Sequence, residues 1–165
     1  MPLRNKIHDK IISPAQISEQ VSEWKSKGNT IVFTNGCFDI LHRGHIELLM
    51  QASSFGDKLI VGLNSDQSVR KLKGEERPYN DQQSRALVLA SLMFVDAVVL
   101  FDEDTPYNLI ASIIPEILVK GGDYKENEIA GADIVKENGG KVIIVDLLKG
   151  YSTTLLGKRI REENS

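Results

Sequence analysis

The sequence predicts an α/β fold, a doubly wound, mostly parallel five-stranded sheet with helices on both faces. Three observations lead there. Short β-branched runs alternate with amphipathic segments from residue 30 onward. No internal repeat or low-complexity stretch interrupts them. The chain has 165 residues, 41% hydrophobic and 26% charged, which suits one globular domain. At this length it buries about two-thirds of the surface its unfolded form exposes, so no disulfide staple is required.

Residues 1–29 read as an N-terminal helical extension, with a helix from Pro14 to Lys27 behind a Ser13 cap and a stop at Gly28. TIVFT (30–34) is the first strand of a main domain covering 30–165. The helix in HIELLMQASSFG places Ile46, Leu49, Met50 and Ser53 on one face and stops at Gly56. KLIVGL (58–63) is the second strand, after which Asn64, Ser65 and Asp66 open a polar stretch. NDQQSRALVLASLMF (80–94) reads as a helix with Ala86, Ala90 and Met93 inward, and DAVVLF (96–101) as the third strand. Thr105 caps a helix with Pro106 in its first position. EILVKGG (116–122) is the fourth strand, ENEIAGADIVKENGG a helix ending at Gly139, and KVIIVDL (141–147) the fifth strand. Ser152 caps a last helix, whose Lys158, Arg159 and Arg161 suit the negative end of its dipole.

A formal charge of −3 and a pI near 5.6 argue against a domain built to hold a nucleic-acid backbone, and leave a small charged ligand open. One cysteine makes no internal disulfide. The N-terminus carries no apolar core of signal-peptide or membrane-span length, so the cytoplasm is the expected compartment. In such a sheet ligands sit beyond the carboxyl ends of the strands. The polar residues of interest fall there: Thr34–His45 after the first strand, Asn64–Asp66 after the second, Lys120–Asp123 after the fourth and Tyr151–Thr154 after the fifth.

TNGCFDILHRGHIELL (34–49) carries the chemistry. Gly36 and Gly44 let backbone approach a ligand, and a helix starting near His42 aims unpaired N–H groups at the same space, which makes an anion site. His42 and His45 share a helical face, and each imidazole can donate to a phosphate oxygen. A His-x-x-His metal pair is the competing reading, but a structural site needs four ligands and the chain has a single cysteine. Cys37 reads as a small buried residue, with Phe38, Ile40 and Leu41 as packing. No G-x-G-x-x-G follows a strand and no P-loop is present, since Gly139-Gly140-Lys141 ends a helix and opens a strand.

Gly36-Cys37-Phe38-Asp39 followed by His42-Arg43-Gly44-His45 resembles the signature of the HxGH nucleotidyltransferases, the cytidylyltransferase-like family that transfers a nucleotidyl group from a nucleoside triphosphate. Gly150-Tyr151-Ser152-Thr153-Thr154 resembles the family's second element. LKGEERPYNDQQSRALVLASL, VKGGDY and GYSTTLLGKRI extend the resemblance from about Ile31 to Ile160. Within the family it is toward members that join ATP to D-glycero-β-D-manno-heptose 1-phosphate, giving ADP-heptose for bacterial surface glycans. A cytidylyltransferase acting on glycerol 3-phosphate or a similar alcohol phosphate is the alternative.

The resemblance implies a Rossmann-like nucleotidyltransferase domain. Its substrates are ATP and a sugar phosphate, with Mg2+ held mainly by the triphosphate, no protein ligands to the metal, and neither nucleic acid nor membrane as partner. It assigns His42 and His45 to charge at the α-phosphorus and the leaving group, and Lys73 and Arg85 to phosphates, with Lys71 and Arg77 in reserve. A solvated helix face mixing Arg70 and these cations with Glu75, Glu76 and Asp81 explains the segment equally well. It further assigns the nucleotide to Thr34, Asn35, Gly36, Cys37, Phe38, Asp39, Gly44, Lys120, Gly122, Asp123, Ser152, Thr153 and Thr154. A turn alone would explain the glycines at 121 and 122, and a helix cap alone would explain Ser152. Asp39 is expected to orient a histidine or the turn, and Asp66 is a weaker candidate. Many relatives carry a sugar-kinase domain in front, which this sequence lacks, so a separate kinase upstream is expected. A homodimer is left open.

Overall fold

The β-branched runs all become strands, and all of them pair in parallel. The computed structural model describes residues 2–122 and 124–162. In chain order its elements are α1 (Leu3–His8), α2 (Pro14–Ser26), β1 (Ile31–Gly36), α3 (Arg43–Ser53), β2 (Lys58–Asn64), α4 (Asp66–Lys73), α5 (Gln82–Ala90) and β3 (Ala97–Phe101). There follow α6 (Tyr107–Ile113), β4 (Ile117–Gly121), a 3-10 turn (Glu126–Glu128), α7 (Ala132–Glu137), β5 (Lys141–Val145) and α8 (Thr153–Glu162). The sheet order is β3-β2-β1-β4-β5, with Phe33 of β1 opposite Ile60 on one side and Leu118 on the other. Winding runs outward from β1 to β3 and then crosses back to β4 and β5. The topological switch therefore lies between β1 and β4, where an open parallel sheet leaves a crevice at the strands' carboxyl ends.

Period-two alternation divides the core. Ile31 and Phe33 pack on one face with Ile17 and Val21 of α2 and with Ile110 and Ile113 of α6. Val32 points to the other face, against Leu49 and Ala52 of α3 and Ala86, Leu89 and Ala90 of α5. Each such large side chain contributes about 1.5–3 kcal/mol by leaving water. Both faces are needed because strands that are apolar on both sides must be covered on both.

The structure departs from the periodic reading in several places. Met50, expected inward, is 50% exposed, while Leu49 and Ala52 are buried. The first turn of α3 explains the rotation: once His45 is held against the cavity, positions 48–49 and 52 follow it round at three- and four-residue steps. Met93, also expected inward, is 92% exposed because α5 ends at Ala90 and the chain turns before reaching it. The polar stretch after the second strand contains a helix, α4, which buries only Ser68 and Val69 and carries just two apolar residues, Val69 and Leu72, too few to stand out among its charges. Its cap was visible, since Ser65 Oγ accepts from the Ser68 N–H at 3.2 Å. α1 was likewise not anticipated. The helix expected before Gly139 is split at Gly131, which adopts φ +82° and approaches Ile110 so closely that a Cβ would lie 2.7 Å from it. Pro106 serves as the cap of α6 and not as its first residue. Ser13 stands at the cap of α2, but its hydroxyl donates to Gln16 Oε1 at 2.6 Å.

Candidate active site

β1 delivers the chain into a turn that is shaped by its own side chains. A Cβ at Gly36 would come within 2.9 Å of the Phe38 ring, and Phe38 itself holds φ +43°, a conformation costly for a bulky residue. The turn ends at His42, the extended N-cap of α3, whose carbonyl accepts from the His45 N–H at 2.9 Å. One helical turn thus stacks the two imidazoles, with centroids 3.7 Å apart and planes 18° from parallel, and Phe38 meets His45 edge-on at 5.2 Å. Gly44 is what admits this stack: a Cβ there would sit 3.1 Å from the His42 ring and 3.1 Å from Tyr151 Cβ.

Both Nδ1 atoms are buried without a hydrogen-bond partner. Unpaired buried polar atoms are uncommon and mark a place where a partner belongs. Each ring therefore keeps a nitrogen with hydrogen-bonding capacity to offer a ligand. Burial, with the neighbouring His42 adding to it, pushes the His45 pKa down to about 4, against a smaller opposing pull from the Ile40 carbonyl. Burial also lowers His42. Both shifts favour the neutral imidazole in the free site.

Asp39 orients the turn and not a histidine. Its carboxylate accepts from Arg77 Nε at 2.6 Å, from the Tyr79 N–H at 2.8 Å and from the Asn80 N–H at 3.0 Å, and its carbonyl accepts from Asn80 Nδ2. Burial pulls its pKa upward, but the Asn80 and Tyr79 N–H groups and the Arg77 guanidinium together hold it below the usual carboxylate range. Asp39 is thereby spent on clamping residues 77–80 to the turn.

Arg85, expected at a phosphate, is 2% exposed and lies outside the cavity wall. Its Nε donates to the Asn80 carbonyl, Nη1 to the carbonyls of Cys37 and Asn64, and Nη2 to Asp66 at 2.7 Å. A guanidinium offers five N–H donors, and the four bonds made here tie together β1's turn, the end of β2, the start of α4 and the segment before α5. Arg85 shapes the site from behind, and Asp66 is its counter-ion.

These elements surround a cavity of about 650 Å³. β1 and its turn contribute Asn35, Gly36, Cys37, Phe38 and Asp39, α3 contributes Gly44 and His45 below His42, and the start of α8 contributes Ser152, Thr153 and Thr154. Lys73 enters from the last turn of α4 and Lys120 from β4. Lys120 Nζ donates to Asn35 Oδ1 at 3.2 Å and lies 5.4 Å over the Tyr124 ring, and burial lowers its pKa. Arg77, held in reserve at the sequence level, also lines the cavity, whereas Lys71 reaches toward Asp104 at 3.8 Å. Thr34 and Gly122 do not line it, and Asp123 falls outside the described residues. Cys37 keeps its thiol protonated, because burial outweighs the nearby cations Lys73, Arg85 and Arg77.

Asn64, at the end of β2, lines the cavity as the sequence suggests, but sequence reasoning missed the rest of the opposite wall: Asp104, Thr105, Tyr124, Leu147 and Leu148. All lie just past strand ends, and only the sheet order shows that they converge.

A family model described as cytidylyltransferase-like matches residues 33–158. The chain belongs to the cytidylyltransferase-like family. It is 54% identical over 153 residues, 93% of its length, to the bifunctional protein HldE of Wolinella succinogenes, and 52% identical over 92% of its length to that of Bradyrhizobium diazoefficiens. It spans about a third of these relatives, 31% of each. Among solved structures, a lipopolysaccharide core biosynthesis protein from Thermoplasma volcanium matches 76% of this chain and 100% of its own, at 30% identity and a TM-score of 0.61. A pantoate-beta-alanine ligase from Francisella tularensis, at 21% identity and a TM-score of 0.57 over 84% of this chain and 68% of its own, shares the fold.

Proposed function

We propose that the chain transfers AMP from ATP to a sugar 1-phosphate, D-glycero-β-D-manno-heptose 1-phosphate, releasing pyrophosphate and giving ADP-heptose. The observation that carries a nucleotidyl transfer is the stacked His42–His45 pair with unpartnered nitrogens, set beside Lys73 and Lys120 at one cavity. The heptose substrate is supported by the near-complete resemblance described above and by 52–54% identity to the HldE proteins. The use of the product in surface glycan is supported by the lipopolysaccharide protein of similar structure.

A phosphate oxygen of the sugar phosphate attacks the α-phosphorus. One P–O bond forms there, the bond to the bridging oxygen of the β-phosphate breaks, and pyrophosphate departs with the bonding pair. The attacking oxygen is already ionised, so no general base is required. What the reaction needs is positioning and stabilisation of negative charge on the non-bridging and leaving oxygens. His42 and His45 donate to those oxygens, the N-terminus of α8 and its Ser152, Thr153 and Thr154 receive a phosphate, and Lys73, Lys120 and Arg77 balance the remaining charge.

Mg2+ enters with the triphosphate. No group of three or more His, Cys, Asp or Glu side chains able to hold a metal is found among the described residues, and the Asp39 carboxylate is already saturated. The triphosphate itself supplies the ion's main oxygen ligands. No helix among the described residues is long and apolar enough to cross a membrane, and we place the enzyme in the cytoplasm with ATP, downstream of a sugar kinase.

Pyrophosphate release is the test, with ATP, CTP, GTP and UTP each offered together with heptose 1-phosphate or glycerol 3-phosphate. Turnover confined to ATP with the heptose phosphate is expected. Preference for CTP and glycerol 3-phosphate would replace the assignment, and absence of turnover with every pair would reject it.

A further inference from the structure

The walls of the cavity are tied together through one aromatic ring. Asp39 fixes residues 77–80 to the phosphate turn, and the Arg77 guanidinium lies 4.5 Å over the Tyr79 ring. The far edge of that ring abuts α8 at Gly157, where a Cβ would come within 2.6 Å of the Tyr79 hydroxyl oxygen and 3.3 Å of Cζ. Gly157 is buried in the middle of a ten-residue helix, a position where glycine costs about 1 kcal/mol relative to alanine. The contact supplies a reason for that cost, since a side chain would collide with the ring. At its start the same helix returns to the turn: Thr153 Oγ1 donates to the Ile40 carbonyl at 3.3 Å, and Tyr151 Cβ lies against Gly44. The contacts thus close a circuit from turn to clamp, from clamp to ring, from ring to α8, and from α8 back to the turn.

We propose that Tyr79 is a positioning residue that seats α8 at Gly157 and so sets Ser152, Thr153 and Thr154 against His42 and His45. The proposal rests on the nucleotidyl-transfer reading for its consequence, because the phosphates that α8 receives must stay in register with the histidines. Tyr79 acts through the helix and not on the reacting atoms. α8 follows β5 by a loop and leaves its Leu155 exposed, so the packing at Gly157 contributes to seating the helix.

Three variants test the seat: Gly157→Ala, Gly157→Ala combined with Tyr79→Phe, and Tyr79→Ala. Two quantities are read, amide hydrogen exchange across residues 153–160 without substrate and the KM for ATP against kcat. Alanine is the better helix former, so propensity alone would slow exchange in Gly157→Ala. If the ring is the seat, exchange instead speeds up and KM for ATP rises about tenfold while kcat falls less. Adding Tyr79→Phe removes the colliding oxygen and returns both quantities to within about twofold of the parent. Tyr79→Ala loosens the helix by the same two measures. Unchanged or slower exchange in Gly157→Ala, or a double variant as impaired as the single one, would overturn the proposal. The exchange measurement needs no substrate, so a parent enzyme that failed to transfer AMP would reject the reaction assignment and still leave Tyr79 decided.

Discussion

His45 carries the sharpest consequence of burial at the scale of single residues. Its pKa in the folded protein is about 4, against an ordinary value of 6.5, so the unfolded chain binds the extra proton throughout that window. Stability is therefore unaffected above pH 6.5 and falls as the pH drops toward 4, by up to about 3 kcal/mol from this group. Replacement of His45 by Gln is expected to flatten that acid limb in urea unfolding measured at a series of pH values, and equal slopes would contradict the burial argument. A bound triphosphate should raise the pKa, so NMR titration of the ring is expected to move to higher pH when ATP is added. In turnover, His42→Ala and His45→Ala each remove a preorganised donor, which costs about a hundred- to a thousandfold in kcat with the fold retained. Lys73 and Arg85 separate at the same scale. Lys73 stands exposed at the end of α4, and Lys73→Ala is expected to impair substrate use while changing stability by no more than about 0.5 kcal/mol. Arg85→Ala strands Asp66 and three carbonyls and is expected to cost about 3–5 kcal/mol in denaturant unfolding. A negligible cost would return Arg85 to the surface of the phosphate site.

Elements beyond the family motif also matter, and the segment between α1 and α2 shows how. Ile12 N–H donates to the Val98 carbonyl at 3.0 Å and the Val98 N–H donates to the Lys10 carbonyl at 2.8 Å, so the segment runs as a short parallel strap along β3. β3 is a border strand of the sheet, and an open border presents unpaired N–H and C=O groups to other chains. Ile12→Pro deletes the donor at the middle of the strap. It is expected to lower stability by about 1–3 kcal/mol and to increase self-association, which thermal unfolding and light scattering would show. A variant with the parent's melting point and mass would mean that the strap merely lies on the sheet. α4 makes a related point, since a helix with a good cap and two buried residues is held by its ends and by the Arg85–Asp66 pair more than by an apolar stripe.

For the whole molecule, the parallel sheet opens one cavity at the β1–β4 switch, and under the proposed reaction both substrates meet there, which favours direct transfer between them. Sequential kinetics are expected, and Cys37→Ser should keep most of its activity because the buried thiol stays protonated and is a poor nucleophile. Parallel double-reciprocal lines or an adenylylated Cys37 would contradict this. By itself the sequence determined the alternation of strands and helices, the glycine-bearing turn from Gly36 to His45 that leads into a helix, and the polar start of α8, because period, cap and glycine chemistry act over a few residues and are written locally. The inward face of α3, the exposure of Met93 and the break at Gly131 were decided by what each element packs against. Arg85 looked like one of five cations on a charged segment, and only the tertiary structure turned it inward, where carbonyls from residues 37, 64 and 80 converge on its guanidinium. The far wall of the cavity, with Asp104, Tyr124 and Leu147, was illegible for the same reason: which strand ends become neighbours depends on the order β3-β2-β1-β4-β5, and that order is set by pairing between segments far apart in the chain.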